Sequence, residues 1–273
     1  MTQKKTLKLP KLIGHRGVKD LCPENTLESI LKAFDLGLNF VEIDVKISKD
    51  RVPILLHDDT LDRTTNGSGL AIDYDYANIK KLDAGKFFYK ENTNIFVPKL
   101  EDILSLCTNN KNNGNLNIEL KPNKNFEKEN TLQIYELTKN IHQIDIFFSS
   151  FDMNSILEIS KLYPQSFRSF LLDDFKEYNI DDLINLSINN DLKICGLNID
   201  LVSTDIIKKI KESNMSITVY SDKNINLSNA NEIFSLGVDS IFIDNPSDLS
   251  SAVTGEVHYV DCGYNIIGMP SKL

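Results

Sequence analysis

Four junctions in the chain, where apolar runs give way to polar residues, carry side chains that could do chemistry together. Seven such residues stand there: His15, Arg16, Glu42, Asp44, His57, Glu119 and Lys121. Three carboxylates suit Mg²⁺ or Ca²⁺, histidines exchange protons near neutral pH, and arginine and lysine hold anions. A metal, proton donors and a cationic clamp together indicate phosphoryl-ester chemistry.

The run "VEIDV" places two carboxylates on one face of a predicted strand. Because alternate residues of a strand point to the same side, Glu42 and Asp44 share one face and the branched apolar residues around them share the other. Alone, this pattern is more typical of salt-bridged or solvent-facing acids on an edge strand. Glu119 and Lys121 also share a face, at the end of "NIELK", and this second pair favours a buried cation as compensation.

The elements that must position these residues alternate along the chain. Nine short apolar runs are candidate strands: "KLIGH", "FVEIDVKI", "PILLHD", "NLNIELK", "DIFFSS", "FRSFLL", "LKICGLN", "SITVYS" and "SIFIDN". Helical periodicity separates them, which predicts parallel strands joined by helices. We expect a closed (β/α)8 TIM barrel of the α/β class, in which "PILLHD" extends the second strand. A doubly wound open sheet is the alternative, but no GxGxxG follows the first strand.

In a barrel, the carboxyl ends of the strands converge on one active face, which would gather the four junctions. The helix after the first strand is predicted from one apolar face, formed by Leu27, Ile30, Leu31, Phe34 and Leu38. Asn25 is the predicted N-cap, with Glu28 three residues later. Asn25 could instead make a polar contact in the site.

The alternation of predicted strands and helices is interrupted after His57. Residues 58–98 are rich in Asp, Asn, Gly and Thr and lack sustained periodicity, which predicts an inserted subdomain or long loop after the second strand. We expect residues 1–246 to form the barrel domain with this insertion, and insertions of this kind commonly cover the active face.

Net charge, cysteine content and the length of apolar runs exclude several classes of protein. The net charge of −9 argues against binding to nucleic acid or anionic membranes. The cysteines, Cys22, Cys107, Cys195 and Cys262, form no CxxC pair and are predicted to be reduced thiols. Neither a signal-peptide core nor an apolar run long enough to span a membrane is present. We therefore expect a cytoplasmic protein with a small-molecule substrate and no stable membrane association.

The motifs resemble one family, the glycerophosphodiester phosphodiesterases. They are "GHRG" with "PENT", "VEIDV", "HDDTLDRTTNGSG" and "IELK", in the family's order and spacing, and the likeness runs from about Lys11 to Pro246. The resemblance implies a barrel, a divalent cation, Mg²⁺ or Ca²⁺, and hydrolysis of glycerophosphodiesters to glycerol 3-phosphate and an alcohol. Tyr220 stands near the place where many members carry an aromatic residue in the seventh strand.

Position by position, the resemblance also implies roles for the seven residues. Glu42, Asp44 and Glu119 match metal ligands, His15 and His57 match the general acid and base, and Arg16 and Lys121 match phosphate contacts. Two other functions are weighed against this one: a lysophospholipase D on the same barrel, and a non-catalytic phosphodiester-binding protein. A binder would have little need of both histidines, and the sequence offers no convincing membrane-binding segment on the active-face loops.

The last 27 residues, 247–273, resemble a different family from the rest of the chain. "SSAVTGEVHYVDCGYN" resembles the C-terminal end of bacterial enoyl-acyl-carrier-protein reductases. No Gly-rich dinucleotide loop is present, so we expect no NAD binding. A lone strand from that enzyme would lack partners for its backbone, and we expect at most a short helix from Ser247 to about Thr254.

Overall fold

Strands and helices alternate through the computed structural model, which describes residues 7–109 and 114–250. The strands are β1 (Leu12–Gly14), β2 (Phe40–Ile47), β3 (Pro53–Leu55), β4 (Asn115–Leu120), β5 (Ile146–Ser150), β6 (Phe167–Leu172), β7 (Ile194–Asn198), β8 (Ser216–Tyr220) and β9 (Ser240–Ile243). The helices are α1 (Leu27–Asp35), α2 (Tyr76–Ile79), α3 (Lys86–Tyr89), α4 (Leu100–Asn109), α5 (Glu127–Thr138), α6 (Met153–Leu162), α7 (Ile180–Asn189), α8 (Thr204–Glu212), α9 (Leu227–Ser235) and α10 (Ser247–Ser250).

Eight parallel strands close into a barrel. The sheet runs β1-β9-β8-β7-β6-β5-β4-β2, and β1 pairs with both β9 and β2, at Gly14 opposite Ile243 and Val41. This closure confirms the predicted (β/α)8 barrel and excludes the open sheet. The prediction for "PILLHD" is confirmed in one part and wrong in the other. β3 is not one of the eight barrel strands, as predicted, but it does not continue β2. It turns back and pairs antiparallel with β2, with Leu55 opposite Val45.

The two faces of β2 carry different kinds of buried side chain, apolar on one face and acidic on the other. Val41, Ile43 and Val45 pack outward into the cluster shared with the surrounding helices, and all three are fully buried. Glu42 and Asp44 therefore point to the barrel interior, as the period of two predicts. A strand buried on both faces is typical of parallel sheets.

The first helix forms where it is predicted, with corrections at its ends. Ile30 and Phe34 are buried, but Leu31 is 41% exposed, and Leu38 lies beyond the helix. The N-cap is Thr26, whose hydroxyl accepts from the amide of Ser29. The predicted cap at Asn25 is therefore wrong, because the side chain of that residue is used elsewhere.

The segment between β3 and α4 packs around a small apolar cluster of its own. The cluster comprises Ile54, Leu56, Leu61, Ala71, Ile79, Ala84 and Val97. Around it the chain forms one 3₁₀ turn and the short helices α2 and α3. At its start, the fully buried Lys46 of β2 donates to Asp59 at 2.9 Å, which fixes the chain just after His57.

Two further features concern membrane-spanning helices and the C-terminal tail. In the described ranges, no helix is long and apolar enough to cross a membrane. Residues 247–250 form α10, with Leu249 packed against the barrel core. The remainder of the reductase-like tail, from Ser251 onward, lies outside the described residues, so the resemblance there stays a prediction.

A buried arginine ties the amino end of β6 to its neighbours. Arg168 is 2% exposed, and its guanidinium donates to the carbonyl oxygens of Tyr163, Pro164, Asn190 and Asp191 at 2.9–3.2 Å. These carbonyls follow the last turns of α6 and α7, where intrahelical partners are missing. One side chain thereby satisfies two helix ends.

We expect Arg168→Leu to lower the free energy of unfolding by about 1–3 kcal/mol, because four carbonyl oxygens at the ends of α6 and α7 lose their charged donor. Urea denaturation followed by circular dichroism measures this change. Activity below the transition should stay near that of the wild type, since Arg168 lies at the opposite end of β6 from the cavity described below. A loss below about 1 kcal/mol would contradict this structural role.

Candidate active site

A cavity of about 370 Å³ opens at the carboxyl ends of the barrel strands. Six of the seven predicted residues line it: His15, Arg16, Glu42, His57, Glu119 and Lys121. The seventh, Asp44, is 1% exposed and contacts both Arg16 and Lys121 from below. The structure thus brings all seven predicted residues together, in a space of the size that small-molecule sites have.

Three carboxylates form a buried cluster in this cavity. One oxygen from each of Glu42, Asp44 and Glu119 lies within 4.8 Å of the others, and the three residues are 3%, 1% and 8% exposed. Oε1 of Glu42 is buried and has no hydrogen-bond partner in the described part of the chain. A buried acidic oxygen without a donor is costly, and a cation bound by all three carboxylates would satisfy it. The donor set therefore fits a hard divalent ion.

The three carboxylates have different electrostatic environments. Burial, followed by repulsion from Asp44 and Glu119, raises the pKa of Glu42 well above its usual value. Burial also raises the pKa of Glu119, against the opposing effect of Lys121. Burial alone would raise the pKa of Asp44, but Lys121 and Arg16 outweigh it and lower this pKa. Asp44 thus carries the fixed negative charge, whereas the ionised forms of Glu42 and Glu119 are disfavoured.

Two cations balance part of this charge. The Nε atom of Arg16 lies 3.1 Å from Asp44, and its backbone amide donates to Glu42 at 2.8 Å. The ammonium of Lys121 lies 2.8 Å from Glu119 and 3.4 Å from Asp44. Two cations against three carboxylates would leave the cluster one positive charge short if all three were ionised, and a bound cation would favour that ionised state.

The backbone of the loop after β1 places the side chains of Arg16 and Asn25 beside the carboxylate cluster. Arg16, Gly17 and Asn25 have φ values of +50°, +85° and +57°. A Cβ atom on Gly17 would lie 2.3 Å from Oγ of Ser29, so only glycine fits this turn. The side chain of Asn25 donates to Asp44 at 2.8 Å and accepts from its amide at 3.0 Å. Of the two roles open for Asn25, the structure supports the polar contact.

Each histidine is paired with a carboxylate through Nδ1. His15 lies 2.7 Å from Asp244, whose other oxygen contacts Lys19 at 3.1 Å. His57 lies 2.7 Å from Asp58. In both rings Nε2 is then the nitrogen available to the cavity. Burial lowers the pKa of both histidines, while the paired carboxylate of His15 opposes this effect and Asp44 opposes it at His57.

Asp58 is held in turn by Arg63. The guanidinium of Arg63 donates to both oxygens of Asp58, at 2.6 and 3.0 Å. Burial would raise the pKa of Asp58, but the hydrogen bonds from Arg63 and His57 lower it to about 2. Asp58 is therefore ionised at neutral pH and fixes the ring of His57.

An aromatic wall closes one side of the cavity. The rings of Phe151 and Tyr220 meet edge to face with centroids 5.4 Å apart. The single proton of the Tyr220 hydroxyl has two acceptors within reach, Asp173 at 3.1 Å and the carbonyl of Leu172 at 3.0 Å. The ammonium of Lys121 lies 5.7 Å from the Phe151 ring centroid. This wall offers an apolar surface beside the charged cluster.

Sequence reasoning missed the four partner residues Asp58, Asp244, Glu24 and Arg63. Asp244 directly follows the apolar strand "SIFI", and Asp58 comes just after the apolar run "PILL" and His57, so their position at strand ends was an available signal. Glu24 and Arg63 lie in loops without periodicity, where no pattern shows which charges will meet.

Comparisons with known proteins agree with this geometry. The model of the glycerophosphoryl diester phosphodiesterase family matches residues 15–248. A glycerophosphodiester phosphodiesterase of Bacillus altitudinis is 29% identical, over 87% of this chain and 96% of that protein. One from Bacillus subtilis is 27% identical, over 86% and 83%.

A solved structure extends the agreement to three dimensions. An Oleispira antarctica phosphodiesterase, in complex with the product sn-glycerol-3-phosphate, superposes with a TM-score of 0.82 at 29% identity, covering 90% of this chain and 97% of that one. The matched family model covers most of the chain, including every residue of the cavity cluster described above. The chain therefore belongs to the glycerophosphoryl diester phosphodiesterase family.

Proposed function

We propose that the protein hydrolyses glycerophosphodiesters to glycerol 3-phosphate and an alcohol. The observation that carries the proposal is the convergence of three carboxylates, two cations and two histidine–carboxylate pairs in one cavity. The Oleispira relative, which binds glycerol 3-phosphate as its product, supports the same substrate class. A non-catalytic binder is disfavoured, because it would have no use for two carboxylate-paired histidines.

In this proposal Glu42, Asp44 and Glu119 hold one divalent cation, Mg²⁺ or Ca²⁺. Such a cation, when bound, neutralises charge on the phosphodiester and polarises it toward attack. Oε1 of Glu42, which has no hydrogen-bond partner among the described residues, and the close grouping of the three carboxylates support these ligands. Arg16 and Lys121 bind the phosphate oxygens, since both line the cavity next to the cluster.

His15 and His57 move the protons. The nucleophile is water or the neighbouring glycerol hydroxyl. One neutral ring takes the proton of the nucleophile as the oxygen of the nucleophile bonds to phosphorus, and the other ring, protonated, gives a proton to the alkoxide as the ester P–O bond breaks. If the glycerol hydroxyl attacks, water must then open the cyclic phosphate by the reverse proton transfers to give glycerol 3-phosphate. The lowered pKa of both rings supplies a neutral base at pH 7. Asp244 and Asp58 stabilise the imidazolium form at their respective partners.

We expect purified protein to release glycerol 3-phosphate from glycerophosphocholine and glycerophosphoethanolamine, and EDTA to abolish this release until Mg²⁺ or Ca²⁺ is added back. An enzyme-coupled assay of glycerol 3-phosphate measures both effects. A lysophospholipid serves as the third substrate. Cleavage of that substrate alone would replace the proposal by a lysophospholipase D, and activity that EDTA leaves unchanged would remove the metal from it.

We also propose a cytoplasmic location. Cys22, Cys107 and Cys195 are unpaired thiols, and burial raises the pKa of Cys107 and Cys195 to about 12. Buried thiols of this kind suit a reducing compartment.

A further inference from the structure

Arg63 joins two loops of the active face. On one side its guanidinium holds both oxygens of Asp58, and on the other it donates to both oxygens of Glu24 at 2.8 Å. Glu24 belongs to the loop after β1, and Asp58 to the loop after β3. One planar group therefore grips two carboxylates that come from separate parts of the chain.

The two carboxylates contact residues of the proposed reaction. Glu24 Oε1 accepts from Arg16 Nη1 at 2.9 Å, and Asp58 Oδ1 lies 2.7 Å from His57 Nδ1. Arg63 is thus one residue away from a proposed phosphate contact and one residue away from a proposed proton carrier. Among the described residues, its side chain bonds to Glu24 and Asp58 and to neither of those two groups, and it does not line the cavity.

The ion pair between Arg63 and Glu24 changes the electrostatic environment of Arg16. Glu24 is only 14% exposed and lies between two arginines. With Arg63 present, the carboxylate of Glu24 is shared, and Arg16 keeps positive charge for an anion in the cavity. Without Arg63, Glu24 would pair with Arg16 alone and weaken its attraction for phosphate.

We propose that Arg63 is a positioning residue, which sets Arg16 and His57 together by clamping Glu24 and Asp58. This inference rests on the proposed function. The side chain of Arg63 is 47% exposed, and ion pairs at that exposure contribute little to stability. Its effect therefore falls on catalysis rather than on folding. Arginine is required because its fork binds two carboxylates, whereas a lysine ammonium is a single point charge.

The test compares Arg63→Ala and Arg63→Lys with the wild type on glycerophosphocholine. We expect Arg63→Ala to lower kcat about 10- to 100-fold, as losses of supporting partners at other sites do, and also to raise KM. Lysine should restore part of the loss, and added guanidinium ion should restore part of the activity of Arg63→Ala. Arg51→Ala is the matched control, since Arg51 is 36% exposed and pairs with Glu129, and neither residue lines the cavity.

A second measurement does not depend on turnover. In ¹⁵N-labelled protein, the ring nitrogens of His57 report its tautomer by NMR, and we expect them to shift in Arg63→Ala but not in Arg51→Ala. Wild-type protein without hydrolase activity would defeat the proposed function, and the His57 spectra would still decide the role of Arg63. Unchanged spectra, or kinetics of Arg63→Ala within twofold of wild type, would overturn the inference.

Discussion

Replacing His57 by alanine should lower kcat by about 10²- to 10⁴-fold while leaving the fold intact, and His15→Ala should do the same. Both rings line the cavity, and each is held through Nδ1 by a carboxylate, so Nε2 is set to exchange a proton with substrate. Neither ring belongs to the apolar clusters of the barrel wall. The measurement is steady-state hydrolysis of glycerophosphocholine, with thermal unfolding recorded on the same samples.

A third histidine provides the control. His142 is exposed, in the turn between α5 and β5, and His142→Ala should keep wild-type kcat and KM. Near-normal turnover in either His15→Ala or His57→Ala would remove that residue from proton transfer. A parallel loss of thermal stability in these variants, absent from His142→Ala, would assign the effect to folding instead.

Glu42→Gln should abolish metal-dependent activity and yet stabilise the metal-free protein at neutral pH. Removal of a ligand forfeits several kcal/mol of charge stabilisation, which corresponds to a loss in kcat of at least about 10²-fold. The same carboxylate is buried and repelled by Asp44 and Glu119. A neutral amide of similar shape removes that repulsion when no cation is present.

The pH dependence of this stabilisation follows from the raised pKa of Glu42. Its usual value is 4.5, so the unfolded chain loses the proton near that pH while the folded protein keeps it to higher pH. Without metal, the contribution of Glu42 to stability is full below about pH 4.5 and is lost as pH rises through the folded-state pKa. The advantage of Glu42→Gln over wild type should therefore grow from pH 5 to pH 7.5.

Thermal unfolding in EDTA and in Mg²⁺ or Ca²⁺ measures both effects. Wild type should gain about 2.7 kcal/mol at a metal concentration 100 times Kd, and Glu42→Gln much less. Glu136→Gln, at an exposed position of α5, is the control and should behave as wild type in both conditions. A wild-type protein that metal does not stabilise would rule out a cation at this cluster.

Local sequence was sufficient to predict most of the cluster. The period of two in β2 places Glu42 and Asp44 on one face, and the alternation of apolar runs with helical segments predicts the barrel. The barrel then gathers the carboxyl ends of β1, β2 and β4, which is why Glu119 and Lys121 lie beside them. These predictions depend on geometry that short segments carry by themselves.

The wrong predictions concern a residue and a segment whose local sequence is compatible with two structures. Asn25 fits an N-cap by sequence, but its left-handed backbone turns the side chain toward Asp44, and Thr26 caps the helix. "PILLHD" has the composition of a strand, but composition does not specify direction. Pairing of Leu55 with Val45 made it antiparallel.

The sequence alone was sufficient to predict the barrel and the seven residues that meet at its active face, because strand periodicity and strand-end position are local properties. Only the tertiary structure decided how those residues are supported. His15 meets Asp244 across 229 positions when β1 pairs with β9, and Arg63 meets Glu24 across 39. Such pairs form through closure of the barrel and packing of the 58–98 segment, and no local pattern encodes which distant charges will come into contact.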